Sequence, residues 1–521
     1  MSEIPNLLTT MTFIPLIGML VVLFIPKNSD GLLKGAALIT TLITFVVSLP
    51  LAFNEIFATS ANMQYVENVE WIKIGDYFQM NYHIGVDGIS LWLVMLTTFI
   101  MPIAVLSTWT AVDKATKGFM ALLLLLETAM LGAFISLDLF LFYIFWELML
   151  IPMYFLIGIW GGKNRIYAAV KFFIYTAVGS LLMLVAIIFT YYYAINSNIP
   201  MEGFSIAQLY LTKIPADMQI WLFLAFAFSF AIKVPMFPLH TWLPDAHTEA
   251  PTAGSVILAA ILLKMGTYGF VRFAMPLFPD ALAQCTPYLA GLCVIGIVYG
   301  SLVAMMQDDV KKLVAYSSVA HLGFVMLGVF ALNLQGMSGG MIQMINHGIS
   351  TGALFLIVGF VYERRHTRAI ADFGGLAKQM PIFATIFMIV TFSSVGLPGT
   401  NGFVGEFLAL MGAFESNLRW AAIIATSGVI FAAVYMLWMF QRVMFGELKN
   451  PANQELKDLN AREIVLMLPL LVFVFWIGIY PNTFFRKMTP SLEQLLEQAQ
   501  PKQVAVVDVE APQLAFQPQQ D

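Results

Sequence analysis

Long apolar stretches, separated by short polar loops, run along almost the whole chain. A helix needs roughly twenty mostly apolar residues to cross a bilayer, and fourteen stretches meet that length. The pattern therefore predicts an all-α integral membrane protein of about 14 transmembrane helices. Numbered in chain order, the predicted helices span 4–25, 32–53, 84–109, 117–136, 137–160, 166–194, 219–243, 252–275, 281–306, 312–332, 339–362, 381–413, 419–441 and 463–485.

Two of these stretches carry residues that interrupt a helix. Predicted helix 7 contains Pro235 and Pro238, and predicted helix 12 contains Gly396, Pro398 and Gly399. Proline removes a backbone donor and breaks or kinks a helix, and broken helices in transporters place free backbone groups beside ion sites. We therefore expect helices 7 and 12 to be discontinuous.

The two interruptions lie five helices apart, which predicts an internal repeat made of helices 4–8 and helices 9–13. Because five is odd, the two units must have inverted topology. The predicted domain organisation is listed by residue range: helices 1–3 in 1–110, the first repeat in 111–276, the second repeat in 277–445, and helix 14 with a polar tail in 446–521. The Gln-, Pro- and Ala-rich tail after Arg486 is expected to be disordered or to lie along the outer surface.

An even number of helices puts both termini on one side of the membrane. The loops on the other side carry seventeen Lys and Arg residues, whereas the terminal side carries seven, with Arg272 counted among them. Basic residues favour cytoplasmic loops, so both termini are predicted to face away from the cytoplasm. The two remaining basic residues, Lys233 and Lys264, lie inside predicted helices.

Composition agrees with a membrane location and excludes several functions. Hydrophobic residues make up 60% of the chain and charged residues 11%, whereas soluble proteins carry about 25% charged residues. The net charge of −5 includes no basic block, so nucleic-acid binding has no support. Cys285 and Cys293 lack the spacing of a metal site, and 4–25 lacks the features of a removed signal peptide.

Lys233 and Lys264 are the most informative residues in the sequence. A lysine at the bilayer centre costs roughly 2.5–3.5 kcal/mol on insertion scales, so it normally faces the interior of a bundle and marks an ion or proton path. Desolvation disfavours its charged form and a nearby carboxylate favours it. Glu147, in predicted helix 5, is the expected partner of Lys233. The alternative is that Lys233 forms only a static pair.

Further polar residues fall inside predicted helices. Glu406 follows the interruption of helix 12, and His321 and His347 lie in helices 10 and 11. An imidazole titrates near neutral pH and can relay protons, although a lone histidine is often only a hydrogen-bonded core residue. Glu127 and Asp138 lie near helix ends, where an interfacial, solvated position is the alternative to a functional one.

The segment HTWLPDAHTEAP, between predicted helices 7 and 8, gathers two histidines and two carboxylates. They are His240, Asp245, His247 and Glu249. These residues suit a proton entry site or a cap on the broken helix. We expect no bound metal here and no cofactor elsewhere in the chain.

Four segments carry a resemblance to a known family. They are FWELMLIPMYFLIGIWGG, KVPMFPLHTWLPDAHTEAPTAGSVILAAILLKMGTYG, DVKKLVAYSSVAHLGF and GLPGTNGFVGEF. Over about residues 80–445 the chain resembles the chain M (chain 4) family of NADH-quinone oxidoreductase, or respiratory complex I. Related chains L and N carry lysine at the position of Glu406, and chain L has a long C-terminal extension, so the resemblance is to chain M.

The resemblance implies an antiporter-like, proton-translocating subunit without a redox centre. Glu147 and Lys233 would form a controlling ion pair, Lys264 would be the central relay lysine, and Glu406 the carboxylate on the exit side. His321 and His347 would link two half-channels. The implied partners are chains L and N and smaller membrane chains, with the lipid bilayer, in a bacterial inner (plasma) membrane.

Two other functions remain open from the sequence. A subunit of a multi-subunit cation/proton antiporter would share the helices and lysines without redox coupling. The segment IGVDGISL at 84–91 and Glu406 are more like complex I. A non-conducting scaffold subunit would keep the helices but would not need the buried lysines.

Overall fold

The computed structural model describes residues 5–75, 77–197 and 199–500. Within those residues, thirteen helices are long and apolar enough to cross a membrane. A further predicted span, helix 12, is present as two helices of 15 residues each. The prediction of an all-α, multi-pass membrane protein is confirmed.

The membrane helices are named in chain order, and several predicted spans consist of more than one element. Their bounds are α1 Leu7–Phe24, α2 Asp30–Phe53, α3 Gly88–Ala111, α4 Thr116–Ile135, α5 Leu139–Leu148, α6 Leu150–Trp160, α7 Arg165–Asn196, α8 Ile206–Leu209, α9 Ala216–Lys233, α10 Trp242–Glu249, α11 Thr252–Ile257, α12 Leu263–Gly269, α13 Met275–Leu277, α14 Pro279–Met305, α15 Val310–Phe330, α16 Leu334–Arg365, α17 Leu376–Gln379, α18 Pro381–Val395, α19 Asn401–Glu415, α20 Arg419–Met444, α21 Ala461–Ile479 and α22 Asn482–Gln498. Short 3-10 turns span Glu55–Ala58, Ile370–Asp372 and Pro451–Asn453.

One sheet accompanies the helices in the described residues. Strands β1 (Gln64–Ile74) and β2 (Phe78–Val86) pair antiparallel between α2 and α3. The spacing of the apolar stretches predicts a loop between helices 2 and 3, and the structure shows a hairpin there instead; QYVENVEWIKI contains the β-branched and aromatic residues that favour strands. The hairpin lies at the end of the bundle that carries residues 5 and 500, which is named the terminal face.

Both predicted interruptions are present. Predicted helix 7 ends at Lys233 and resumes as α10 at Trp242. Predicted helix 12 is broken between α18 and α19, where Gly396 ends α18 with φ +82°. A positive φ is accessible to glycine at little cost, so the sequence encodes the end of α18 directly.

In both repeats, the second helix begins with an aspartate N-cap whose flanking backbone pairs with a distant segment. Asp138 is the N-cap of α5, and residues 137–139 pair with residues 204–206 through two backbone hydrogen bonds. Asp309 is the N-cap of α15, and residues 308–310 pair in the same way with residues 368–370. The pairing at Asp138 lies at the terminal face and the pairing at Asp309 at the opposite face, as inverted repeats require.

Predicted helix 8, which is called helix 8 below and is distinct from α8, departs from a regular α-helix. It consists of α11, α12 and α13, which are joined by two π-helical segments, Leu258–Leu262 and Phe270–Ala274. Its most apolar window is entirely buried within the protein, as is that of α16, whereas that of α7 is 39% buried. Helix 8 and α16 therefore form the centre of the bundle, and α7 has a large surface available to lipid.

The tail differs in part from its prediction. Residues 482–498 form α22, which packs against α3 at the terminal face. Of the two predicted alternatives for the stretch after Arg486, disorder is therefore wrong for residues 487–498, which lie along this face of the bundle. Leu492, Leu495 and Met488 are buried on one side of α22, and this amphipathic spacing stabilises the helix. The rest of the polar tail, residues 501–521, lies outside the described residues.

Candidate functional site

Lys264 lies at the centre of the bundle, immediately after the first π-helical segment of helix 8. Its side chain is 0% exposed. The ammonium group donates to the carbonyl oxygen of Ala259, a residue of that π segment, and its Nζ lies 2.7 Å from Nδ1 of His347 on α16. A π segment changes the regular carbonyl pairing of a helix and is frequent at functional sites. The local backbone thus supplies an acceptor that holds Lys264 beside His347.

Glu406 is bound on the other side of the same interior. Its carboxylate lies 2.7 Å from Nδ1 of His321 and accepts a 3.0 Å hydrogen bond from the amide of Gln343. The second ring nitrogen of His321 lies 3.4 Å from the hydroxyl of Tyr435. Glu406 is 3% exposed and His321 4%, so the carboxylate is enclosed by the protein and faces these polar groups.

The two pairs are adjacent. The rings of His321 and His347 have centroids 6.1 Å apart. A cavity of about 10 Å³ lies beside them, lined in part by Asn346, Ser350 and Gly402, which is close to the smallest volume that holds one water. Lys264, His347, His321 and Glu406 therefore form one buried line of titratable groups, with a single short gap between the imidazoles.

A neutral polar network surrounds this line, and the sequence analysis missed it. Asn401 Oδ1 accepts from Ser393 at 2.5 Å, Ser393 lies 2.6 Å from Ser350, and Asn346 donates to the carbonyl of Asn401 at 2.7 Å. Gln343 completes the network through Asn346. The signal was present on α16, where residues 343, 346, 347 and 350 have the three-to-four-residue spacing of one helix face.

Glu147 and Lys233 are near each other without forming the expected ion pair. No nitrogen–oxygen distance of 4.0 Å or less joins these two described side chains. Lys233 is 1% exposed, and its Nζ lies 5.2 Å from the ring of Trp146 and 5.6 Å from that of Phe172. Cation–π attraction operates at these distances. Lys233 ends α9 at the break, so its side chain is held among aromatic rings.

Glu127 and Asp138 are not solvated. Both are 0% exposed, which overturns the solvated alternative for each. Both oxygens of Glu127 lack a hydrogen-bond partner in the described structure. Asp138 instead accepts four backbone N–H groups, from Phe140, Leu141, Asn81 and Phe204. Asp138 is therefore a structural cap, and Glu127 is an isolated buried carboxyl group.

The four residues of the HTWLPDAHTEAP segment do not converge on one point. Asp245 forms a 2.7 Å ion pair with Lys171, and Glu249 accepts the backbone N–H of Asn164 at 2.9 Å. His240 and His247 are buried at 2% and 0% exposure. Among the residues that the structure describes, no group of three potential metal ligands is found.

Arg272 was counted with the loops, and the structure corrects this. It lies inside helix 8 at 5% exposure and forms a 2.6 Å ion pair with Asp87, the N-cap of α3. Its Nε also donates to the hydroxyl of Tyr268 at 3.3 Å. Four basic residues, not two, are therefore buried inside the predicted spans: Lys34, Lys233, Lys264 and Arg272.

Comparisons with known proteins agree with this arrangement. Residues 136–432 match the family model described as NADH:quinone oxidoreductase/Mrp antiporter, TM. The chain is 48% identical to NADH-quinone oxidoreductase subunit M of Rhodobacter capsulatus, over 94% of this chain and 96% of that protein. It is 45% identical to NADH-ubiquinone oxidoreductase chain 4 of Marchantia polymorpha, over 94% and 97%.

The fold is also similar to a solved structure. A chain of respiratory complex I from Thermus thermophilus with bound NADH superimposes with a TM-score of 0.85 at 31% identity. The match covers 95% of this chain and 100% of that chain.

Proposed function

Since this chain belongs to the family of NADH-quinone oxidoreductase subunit M (chain 4), an antiporter-like membrane subunit of complex I, we propose that it translocates protons through its buried polar line. The observation that carries the proposal is the pair of contacts Lys264–His347 and His321–Glu406, joined by adjacent imidazoles. Every member can gain or lose a proton, and each lies within the apolar bundle.

The proposed sequence of events begins with quinone reduction elsewhere in the complex. A change in the electrostatics of neighbouring membrane subunits acts on Glu147 and Lys233, which would approach each other or separate. The altered field changes the proton affinity of Lys264. A proton then passes to His347, crosses the gap to His321, and reaches Glu406.

The energies involved are of a suitable size. Moving one elementary charge across 100 mV costs about 2.3 kcal/mol. A tenfold change in proton affinity corresponds to about 1.36 kcal/mol. A roughly hundredfold change in the proton affinity of Lys264 would therefore exceed that cost. Bringing one unit charge to about 8 Å from another at an effective dielectric constant of about 20 supplies about 2 kcal/mol.

We further propose that the subunit has no redox centre of its own. Its neighbours would be the antiporter-like chains L and N and smaller membrane chains, and its location a bacterial inner membrane with both termini outside. The positive-inside count supports this orientation. Entry of protons from the opposite face is supported by His247 and Lys311, which are both buried near that face.

The alternative proposal is a subunit of a multi-subunit cation/proton antiporter, because the matching family model includes such proteins. The relatives named above are matched over nearly their full length and are named as subunits of quinone oxidoreductases. This favours the redox-coupled function.

The experiment replaces Lys264 with methionine and measures protons pumped per electron in membrane vesicles. Lys34→Met is the matched control, because Lys34 is also buried but donates to the carbonyls of Trp109 and Val112 at the end of α3. Assembly is checked by native gel. We expect Lys264→Met to lower pumping and coupled quinone reduction at least tenfold in an assembled complex, with Lys34→Met within twofold of wild type.

Normal pumping by an assembled Lys264→Met complex would contradict the proposal and favour a scaffold subunit.

A further inference from the structure

A cavity of about 490 Å³ enters the protein from the terminal face. At about 30 Å³ per molecule, this volume has room for on the order of fifteen waters. The β-hairpin, the short helix α8, the C-terminal end of predicted helix 8 and α22 form the walls of the cavity. Its polar lining includes Asn62, His83, Asp87, Tyr210, Arg272 and Gln494. Asn62 and Gln494 are exposed at the surface, so the cavity has a polar mouth.

The inner wall of the cavity is the buried Asp87–Arg272 ion pair. Arg272 lies on helix 8, four residues from Tyr268 and eight from Lys264. Side chains at four-residue spacing share a helix face, so this face leads from the proposed proton-carrying lysine to the cavity. Tyr268 lies between them at 1% exposure, donating to the carbonyl of Phe134 at 2.9 Å.

The ion pair is unsuited to carrying protons. An arginine guanidinium stays protonated at any physiological pH. The Asp87 oxygen that binds Arg272 also accepts the backbone N–H groups of Ile89 and Ser90 at the start of α3. Such hydrogen bonds stabilise the charged carboxylate.

The charge at this wall is positive on balance. Asp87 is compensated both by Arg272 and by the N-terminus of α3, which carries roughly half a positive charge. Burial lowers the pKa of His83, which also lines the cavity, so its imidazole is neutral at pH 7. A fixed arginine beside a water-filled passage excludes protons and other cations.

From these observations we infer that water fills the cavity and that the Asp87–Arg272 pair is an electrostatic gate that keeps protons in this water from returning to Lys264. The inference rests on the proposed function, because it assumes that Lys264 carries protons. Without the gate, protons driven from the terminal face would reach Lys264 through the cavity, and part of the stored gradient would be lost.

The test measures passive proton flux through the resting complex, reconstituted in liposomes, under an imposed pH gradient. Arg272→Gln removes the charge, and we expect the flux to rise on the order of tenfold, which corresponds to about 1.36 kcal/mol of lost repulsion. Arg272→Lys keeps the charge and should stay within twofold of wild type.

Arg364→Gln is the matched control for the loss of an ion pair with a buried carboxylate. Arg364 is paired with Glu463 at 2.7 Å near the opposite face, so its loss should not raise the flux. If Arg272→Gln alone prevents assembly, Asp87→Asn is used instead: it leaves the guanidinium unpaired and the wall more positive, so its flux should be no higher than that of wild type, and a leak through it would overturn the gate. Wild-type flux through an assembled Arg272→Gln complex, or an equal leak through Arg364→Gln, would overturn the gate.

Adding Lys264→Met to Arg272→Gln separates the two proposals. Loss of the leak in the double variant supports both the gate and the route through Lys264. A leak that persists in the double variant supports a gate at Arg272 and contradicts the role proposed for Lys264.

Discussion

At the scale of single residues, burial alone does not decide what a carboxyl group does in this bundle. Glu406 faces an imidazole and an amide, Asp87 faces a guanidinium, and Asp138 accepts four backbone N–H groups. Glu127 is equally buried, with both oxygens unpartnered. An ionised carboxylate without a partner is very costly inside a protein, so such a group is held uncharged.

The isolation of Glu127 leads to a prediction. Glu127→Gln should assemble normally, shift the thermal midpoint by no more than a few degrees, and leave pumping within twofold of wild type, because one neutral group replaces another of the same size. Proton-to-electron ratios and a native gel provide the measurement. Loss of pumping in an assembled complex would instead make Glu127 a member of the proton path.

At the scale of elements, the inverted repeats use similar caps with different surroundings. Asp138 is 0% exposed and accepts hydrogen bonds from four backbone N–H groups, two of them outside α5. The Asp309 side chain is 29% exposed and accepts hydrogen bonds from two backbone N–H groups at the start of α15. It also forms an ion pair with Arg368 at 3.2 Å. Water can replace the aspartate in the second case and not in the first.

Asp138→Ala should therefore destabilise the protein more than Asp309→Ala. An N-cap aspartate replaced by alanine costs about 0.5–2 kcal/mol, and each buried donor left unpaired adds about 1–3 kcal/mol. We expect the thermal midpoint of the detergent-solubilised protein to fall at least twice as far for Asp138→Ala. Equal shifts would mean that water reaches the orphaned donors of Phe204 and Asn81.

At the scale of the whole molecule, the C-terminal helix closes the terminal face over the N-terminal helices. Lys487 is 2% exposed and donates to the carbonyls of Ala52 and Asn54 at the end of α2. The backbone N–H of Gly88, the first residue of α3, donates to the hydroxyl of Ser491 at 3.0 Å. Helix α22 also forms one wall of the 490 Å³ cavity.

Gly88 permits this docking because it has no side chain. A Cβ added to Gly88 would lie 2.0 Å from the carbonyl oxygen of Lys487, whereas one added to Gly31, near the start of α2, meets nothing within 4 Å. We expect Gly88→Ala to displace α22, lowering stability by about 1–3 kcal/mol and speeding hydrogen exchange across residues 482–498. Gly31→Ala should have neither effect. Unchanged exchange in Gly88→Ala would show that α22 docks independently of this contact.

Much of the architecture follows from the sequence because its causes are local. A run of twenty apolar residues has to cross the bilayer as a helix, and the prolines and glycines of predicted helices 7 and 12 interrupt those helices wherever they pack. The buried lysines are visible for the same reason. The apolar pattern does not predict the hairpin or α22, because neither is a long apolar run.

The contacts that make a site were decided by tertiary structure. Lys264 and His347 are 83 residues apart, His321 and Glu406 are 85 apart, and Asp87 and Arg272 are 185 apart. The sequence by itself determined that Lys233, Lys264 and Glu406 lie in apolar helices and where helices break, since hydropathy and backbone freedom are properties of short segments. Only helix packing decided that Lys264 meets a histidine, that Lys233 lies among aromatic rings, and that Arg272 is buried against Asp87.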